Sequence, residues 1–406
     1  MKQRPVRQPP NAEFITLVAM LLSLVAFATD SMLPAFPAIG ADFGLGDINN
    51  AQMIIILFIA GTGVGQLIMG PLSDSFGRKP VILAGIMLFA LASYWSYATD
   101  SYPELLLARF VQGIGVSAPR TVTHAMVRDR FSGRSMARIL SLAMMLFVLV
   151  PAIAPLIGQT IMLAFGWRYI FVSFQLLAVG ILIWLLLRQP ETHPPDRRTP
   201  FRMKAMGHAL AKVMTHRVVV TYTLSLSLAL ACIFSYLVSA QQAYVDWLDT
   251  GERFPLYFAI VAVVSGSASF LNARLVMRLG VWTLSTTGFL AISLMSIICA
   301  GVIAADLLAG SHLLWLFVAW SAGMFFLLGL CLANLNALAL EPMGQIAGLA
   351  ASVIGAVSTL ICTLLAIPIG QLFNGTGIPL MLGVAVYAGL AFLANLSTRL
   401  SQSGQS

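Results

Sequence analysis

Charge is what this sequence lacks. Only 9% of its 406 residues are Asp, Glu, Lys or Arg, and 59% are apolar, whereas soluble domains carry roughly 25% charged residues. A water-soluble fold could not cover its surface with so few charges, and the mean hydropathy of +0.90 points the same way. Cysteine is scarce too. Cys232, Cys299, Cys331 and Cys362 all lie within apolar runs, where they read as small packing residues. The five His are scattered, so no Cys/His cluster suggests a metal and none is expected. A G-x-x-x-x-G-K-[ST] loop is missing, which argues against ATP coupling. A polar loop with clustered acids, His or metal ligands is also missing, which argues against an enzyme acting on lipid. No soluble signalling module is attached, as a receptor would need.

Apolar length is what the sequence has. Twelve runs lie near 14–37, 50–70, 79–99, 103–126, 136–162, 168–188, 218–243, 254–275, 281–305, 312–337, 344–369 and 376–397. Each is long enough to cross a hydrocarbon core of roughly 30 Å as a helix. The first follows Met1-Lys2-Gln3-Arg4 but is too long for a signal-peptide core and has no small-residue cleavage site, so an anchor is expected. Charge then sets orientation. Of 23 Lys and Arg, 19 fall in alternate polar segments, at 1–13, 78–79, 128–138, 188–217, 274–278 and Arg399. Arg168 and Arg253 occupy the opposite loops, and Arg109 and Arg120 lie inside spans. This positive-inside bias predicts a multi-pass membrane protein with both termini cytoplasmic. The net charge of +8 follows from topology, and no nucleic-acid partner is expected.

The longest polar segment, Arg188 to Arg217, contains Pro190, Pro194, Pro195 and Pro200 and seven basic residues. It divides the chain into 1–187, a cytoplasmic linker loop at 188–217, and 218–406, with six spans in each half. Pro155-Leu156-Ile157-Gly158-Gln159 of span 5 echoes Pro368-Ile369-Gly370-Gln371 of span 11, and the turn ending at Gly77 has a degraded counterpart ending at Gly280. Related halves place a site at their interface near the bilayer midplane, where rocking alternates its exposure.

The most specific motif is Gly70-Pro71-Leu72-Ser73-Asp74-Ser75-Phe76-Gly77-Arg78-Lys79, between spans 2 and 3. Its glycines allow tight turning and close approach. Asp74 beside Arg78 and Lys79 can form charge pairs that hold the cytoplasmic side in one conformation. Here the chain resembles the major facilitator superfamily, whose loop 2–3 signature G-x-L-x-D-x-x-G-R-K/R is matched by Gly70, Leu72, Asp74, Gly77, Arg78 and Lys79. The resemblance implies an all-α membrane fold of twelve helices in two pseudo-symmetric six-helix bundles, working by alternating access.

Span 4 carries Arg109 within an apolar run, and a charge at that depth is usually functional. Gln112, Gly113, Arg120, Thr123 and His124 fall within about 60° of it around a helix, forming one polar seam. His124, near the cytoplasmic end, reads more simply as structural. Arg109-x-x-Gln112-Gly113-x-Gly115 resembles the span 4 signature of proton-coupled members, which implies a part for the arginine in coupling. Asp30 is the one acid well inside the first-half spans. It and Arg109 each lie roughly 9 Å below the outer end at 1.5 Å per residue, so both could reach one cavity. An acid moving between an apolar and an arginine-facing environment changes its proton affinity. Asp30 is therefore a candidate proton carrier, the other readings being a static partner of Arg109 or, if span 1 ends early, an interfacial residue.

Pro151, Pro155 and Gly158 in span 5 permit kinking or close packing. They resemble the superfamily's antiporter signature, although its usual initial Gly is missing. Thr29-Asp30-x-x-x-Pro34-x-x-Pro37, the loop 2–3 motif and Glu341-Pro342-Met343-Gly344 together resemble the bicyclomycin/chloramphenicol-resistance (Bcr/CflA) branch of drug:proton antiporters. Some broad-range relatives carry a second acid eight residues before the position of Asp30, where this chain has Leu22. The resemblance implies proton-driven efflux of small amphipathic drugs, with no cofactor, the proton gradient as energy source, and a monomer embedded in lipid. Uptake of a metabolite by proton symport is the alternative. Phe27, Arg120, Met144, Phe147, Phe234 and Tyr236 are the candidate substrate-cavity residues.

Overall fold

The computed structural model describes residues 11–201 and 203–403, and these are helical throughout apart from short connections. The chain's basic start lies outside the described residues. Span 1 is α1 (Asn11–Asp30), a 3-10 turn (Leu33–Ala35) and α2 (Phe36–Asp42). Pro34 and Pro37, each in the first turn of its element, lack the N–H that a continuous helix would need there. The first half continues through α3 (Met53–Phe76), α4 (Arg78–Ala98), α5 (Tyr102–Arg130), α6 (Gly133–Phe147), α7 (Leu149–Phe165) and α8 (Arg168–Arg188). The second half follows α9 (Met203–Thr215) with α10 (Arg217–Gln242), α11 (Phe254–Gly266), α12 (Ala268–Leu279), α13 (Val281–Ala304), α14 (Ser311–Leu340), α15 (Ala347–Gln371) and α16 (Ile378–Ser403).

Among the described residues, ten stretches are long and apolar enough to cross a membrane. The other two expected spans are accounted for physically. Helix α5 is 29 residues long but carries the polar seam, and span 8 is divided at Ser267 into pieces of 13 and 12 residues. Span 5 is likewise divided, between α6 and α7 at Val148. One expectation is corrected. The linker contains the helix α9, whose Ala209 and Val213 are buried and which packs against α15 and α10.

In a bilayer, lipid is as apolar as leucine, so helices associate through close packing of small residues. The crossing of α3 and α5 shows this. A Cβ on Gly61 would lie 2.0 Å from the Phe110 carbonyl oxygen, and one on Gly113 2.0 Å from that of Phe58. Helices α1, α4 and α8 complete this group, while α10, α13, α14, α15 and α16 pack together in the second half. Leu176, Leu187, Met277 and Leu364 face outward, as a lipid-covered surface requires.

Two long contacts join the halves, α3 with α15 and α7 with α11. The first runs antiparallel along its length: Gln52 donates to the Gly370 carbonyl, Gly63 meets Thr359 and Leu360, and Gly70 meets Ser352. The turns ending at Gly77 and Gly280 share a backbone, φ +103°, ψ 158° and φ +77°, ψ 157°, which fits the sequence echo between the halves.

Candidate functional site

The arrangement starts from the break in span 1. Helix α1 ends at Asp30, whose side chain is 4% exposed. Thr29 Oγ1 donates to Asp30 Oδ1 at 2.9 Å while lying near the carbonyls of Val25 and Ala26. Among the described residues no ion pair reaches Asp30. Span 5 presses on the break: a Cβ on Gly158 would lie 2.0 Å from the Ser31 carbonyl oxygen. Pro155 is buried inside α7 and Pro151 lies in its first turn, next to the Val148 division. The antiporter-like helix and the acid are therefore neighbours.

Arg109 is fully buried and held by neutral acceptors. Its Nη2 donates to the Ala28 carbonyl at 3.0 Å, its Nε to the Ile54 carbonyl at 3.2 Å, and its Nη1 to Gln112 Oε1. The guanidinium carbon lies 4.3 Å from the Phe58 ring centroid and 5.8 Å from that of Phe171, a favourable setting for a desolvated cation. Gln112 in turn donates to Ser93 Oγ at 2.6 Å. Arg109 thus meets span 1 through the backbone just before Asp30, and the direct pair considered from sequence does not form. The seam itself divides. Arg109, Gln112 and Thr123 are buried in the bundle, while Arg120 and His124 line a cavity.

That cavity, of about 390 Å³, lies between α3, α5, α6 and α15. It extends from Gln66 and Arg120 to Asp74 and Arg128 at the face carrying the Arg78–Lys79 turn, called here the basic face. At this face Arg78 bonds Asp74 Oδ1 at 2.5 Å, Ser73 Oγ at 2.7 Å and Asp129 Oδ2 at 2.9 Å. The Glu191 carboxylate accepts from the backbone N–H of Arg78 and of Lys79 at 3.0 and 3.1 Å, capping the start of α4. Lys79 Nζ donates to the Leu186 carbonyl at 3.1 Å. Gly77 suits its place because its φ is positive and a Cβ would meet Glu191 Oε2 at 2.5 Å. Gly70 meets α15 across the interface. The residues of the Gly70–Lys79 motif therefore converge, with Asp129 and Glu191 as partners that sequence reasoning missed. Both are acids in basic polar segments, where a positive-inside reading draws attention to the other sign.

The opposite face is closed by amides, also missed. Gln52 Nε2 donates to Gln242 Oε1 at 2.6 Å, Gln242 Nε2 donates to Asn49 Oδ1 at 2.6 Å, and Gln371 Nε2 donates to the Asn49 carbonyl at 3.3 Å. The signal was available in Gln241-Gln242 at the end of an apolar run. Asp42 and Asp100 pair with Arg168 nearby.

The candidate cavity residues do not gather. Phe27 stands edge-on to Phe174 at 5.5 Å. Tyr236 is fully buried among Phe317, Trp320 and Phe325 and bonds Tyr244. Met144, Phe147 and Phe234 are half-buried against the core. Of the six, Arg120 alone lines the cavity at the basic face. Among the described residues no group of His, Cys, Asp and Glu could hold a metal.

A continuous interface between two helical halves, closed at one face and hollow at the other, is the architecture of an alternating-access carrier. The family model of the Major Facilitator Superfamily matches residues 18–366, and the chain belongs to that superfamily. It is 29% identical over 387 residues to a bicyclomycin resistance protein homolog of Haemophilus influenzae, covering 94% of each chain. It is 28% identical over 347 residues to the multidrug resistance protein MdtL of Escherichia coli, covering 85% of each. Among solved structures, a D-xylose-proton symporter aligns at a TM-score of 0.71 with 18% identity, covering 95% of this chain and 97% of that one. The human organic anion transporter MFSD10 aligns at 0.65 with 16% identity, covering 96% and 99%. These likenesses share the fold, and the chain is a multi-pass membrane transporter rather than an enzyme.

Proposed function

We propose that this transporter is a proton-driven exporter of small amphipathic drugs of the amphenicol or bicyclomycin kind. It works as a monomer in a bacterial inner membrane, with the basic face and both termini cytoplasmic. The observation that carries the reading is Asp30, a buried acid with no cation paired to it among the described residues, set at the break in span 1 and pressed from behind by Gly158. A buried charge left without a partner is costly, so such an acid exchanges its proton when its surroundings change. Rocking of 1–187 against 218–406 changes those surroundings, because the Ser31 carbonyl touches α7 and α7 packs on α11 of the other half. Arg109 and Gln112 fix the backbone before the acid and keep it in register. The Asp74–Arg78–Asp129 cluster steadies the cytoplasmic face. The likeness to a bicyclomycin resistance protein homolog and to a multidrug resistance protein supports export of drugs. A susceptibility panel in an efflux-deficient bacterial host tests the reading. The intact chain should raise tolerance to amphenicols or bicyclomycin and Asp30→Asn should not; equal tolerance with both would refute it.

A further inference from the structure

The cavity at the basic face has a charge balance that the proton cycle does not use. Gln66 on α3 and Arg120 on α5 lie at its inner end, each ten residues from the basic-face end of its helix, or about 15 Å deep at 1.5 Å per residue. Among the described residues no ion pair reaches Arg120, His124 or Arg128, all of which line the same space. The cavity's one acid, Asp74, is already bound to Arg78. Gln66 is 6% exposed, and its Nε2 is a buried donor with no hydrogen-bond partner. A cation at membrane depth and an unsatisfied amide donor are each costly. Here both border one cavity of about 390 Å³, a size suited to a small ligand.

We propose that this cavity is the inward-facing docking site for the anionic group of an exported molecule, with Arg120 binding a carboxylate and Gln66 Nε2 donating a second hydrogen bond. The proposal rests on the export reading and adds amphipathic monoanions and zwitterions to the neutral drugs which that reading names. Guanidinium presents a planar fork of donors that a carboxylate matches. The apolar body would lie against Met136, Leu140 and Leu349, which line the same cavity. Arg128, two turns from Arg120 on the same helix, carries positive charge toward the mouth of the cavity, with the His124 imidazole between them.

The test compares nalidixate with its neutral ethyl ester, which differ in charge and little in shape. Equilibrium binding of each is measured on the purified full chain in phosphatidylcholine nanodiscs. The intact chain should prefer the anion. Arg120→Gln should bind nalidixate about 10- to 100-fold more weakly, as expected for a lost hydrogen bond to a charged group, and bind the ester as before. Arg120→Lys should recover part of the loss, and Gln66→Ala should reproduce a smaller one. Equal binding of both probes, binding of neither, or equal loss of both in Arg120→Gln would overturn the site. Displacement of nalidixate by added phosphatidylglycerol would assign it to a lipid headgroup and also overturn it. Proton-driven uptake of the same probes into inverted vesicles reads the export function separately, so a chain that binds nalidixate without pumping it would sink export and leave the anion site standing.

Discussion

Truncating Gln242 should open the face that its amide closes. Gln242 accepts a hydrogen bond from Gln52 and donates one to Asn49, each 2.6 Å long, with Gln52 and Gln242 at 1% and 2% exposure. Both bonds join the two halves, so they exist only while that face is shut. A buried hydrogen bond is worth about 0.5–1.5 kcal/mol net, so Gln242→Ala should destabilise the closed face by about 1–3 kcal/mol. With RT near 0.6 kcal/mol, that is a shift of about 5- to 150-fold toward the open state. A single cysteine at Ser239, buried on α10 one turn before Gln242, would report it in an otherwise cysteine-free chain. Labelling by a membrane-impermeant maleimide from the outer side should accelerate by that factor. An unchanged rate, with the protein still folded, would refute the idea that these amides hold the face shut.

Three other outcomes are expected. Gly158→Ala places a methyl group 2.0 Å from the Ser31 carbonyl oxygen. It should cost about 1–3 kcal/mol by overpacking and reduce transport, and unchanged melting together with full transport would contradict the contact. Asp74→Ala should lower turnover with little change in equilibrium drug affinity, and Asp129→Asn should lower it more. The reason is exposure: Asp129 is 15% exposed and Asp74 40%, both against an Arg78 side chain at 4%. A large affinity loss with unaltered labelling on both sides would count against a conformational part. In energised inverted vesicles a neutral compound should be pumped and a dication of similar size should not, because Asp30 is the sole deep acid of the first half. Equal pumping of the dication would mean that another acid reaches the cavity.

Much of the fold was legible because apolar length and the alternation of basic segments report directly on membrane crossing. The breaks were less legible. Proline marked the end of α1, but the divisions at Val148 and Ser267 have no proline at the break itself, and α9 lay in a segment whose basic residues read as a loop. In the site, Asp30 and Arg109 were visible as charges in apolar runs. Their relationship was not, because helical depth fixes height in the membrane and leaves direction open. Arg109 therefore turned to carbonyls, Gln112 and aromatic rings instead of the acid. The aromatic candidates were hard to place for the same reason, since Phe and Tyr at helical spacing fill cores as readily as they line pockets. The amide closure joins residues about 190 positions apart, a pairing that no local pattern encodes.

The most direct test of proton-driven export is proton release from energised inverted vesicles on adding an amphenicol, measured with a fluorescent pH probe for the intact chain and for Asp30→Asn. The intact chain should release protons in proportion to drug pumped, and Asp30→Asn, inserted at equal levels, should do neither. Undiminished drug-induced proton release by Asp30→Asn would contradict the account at its centre.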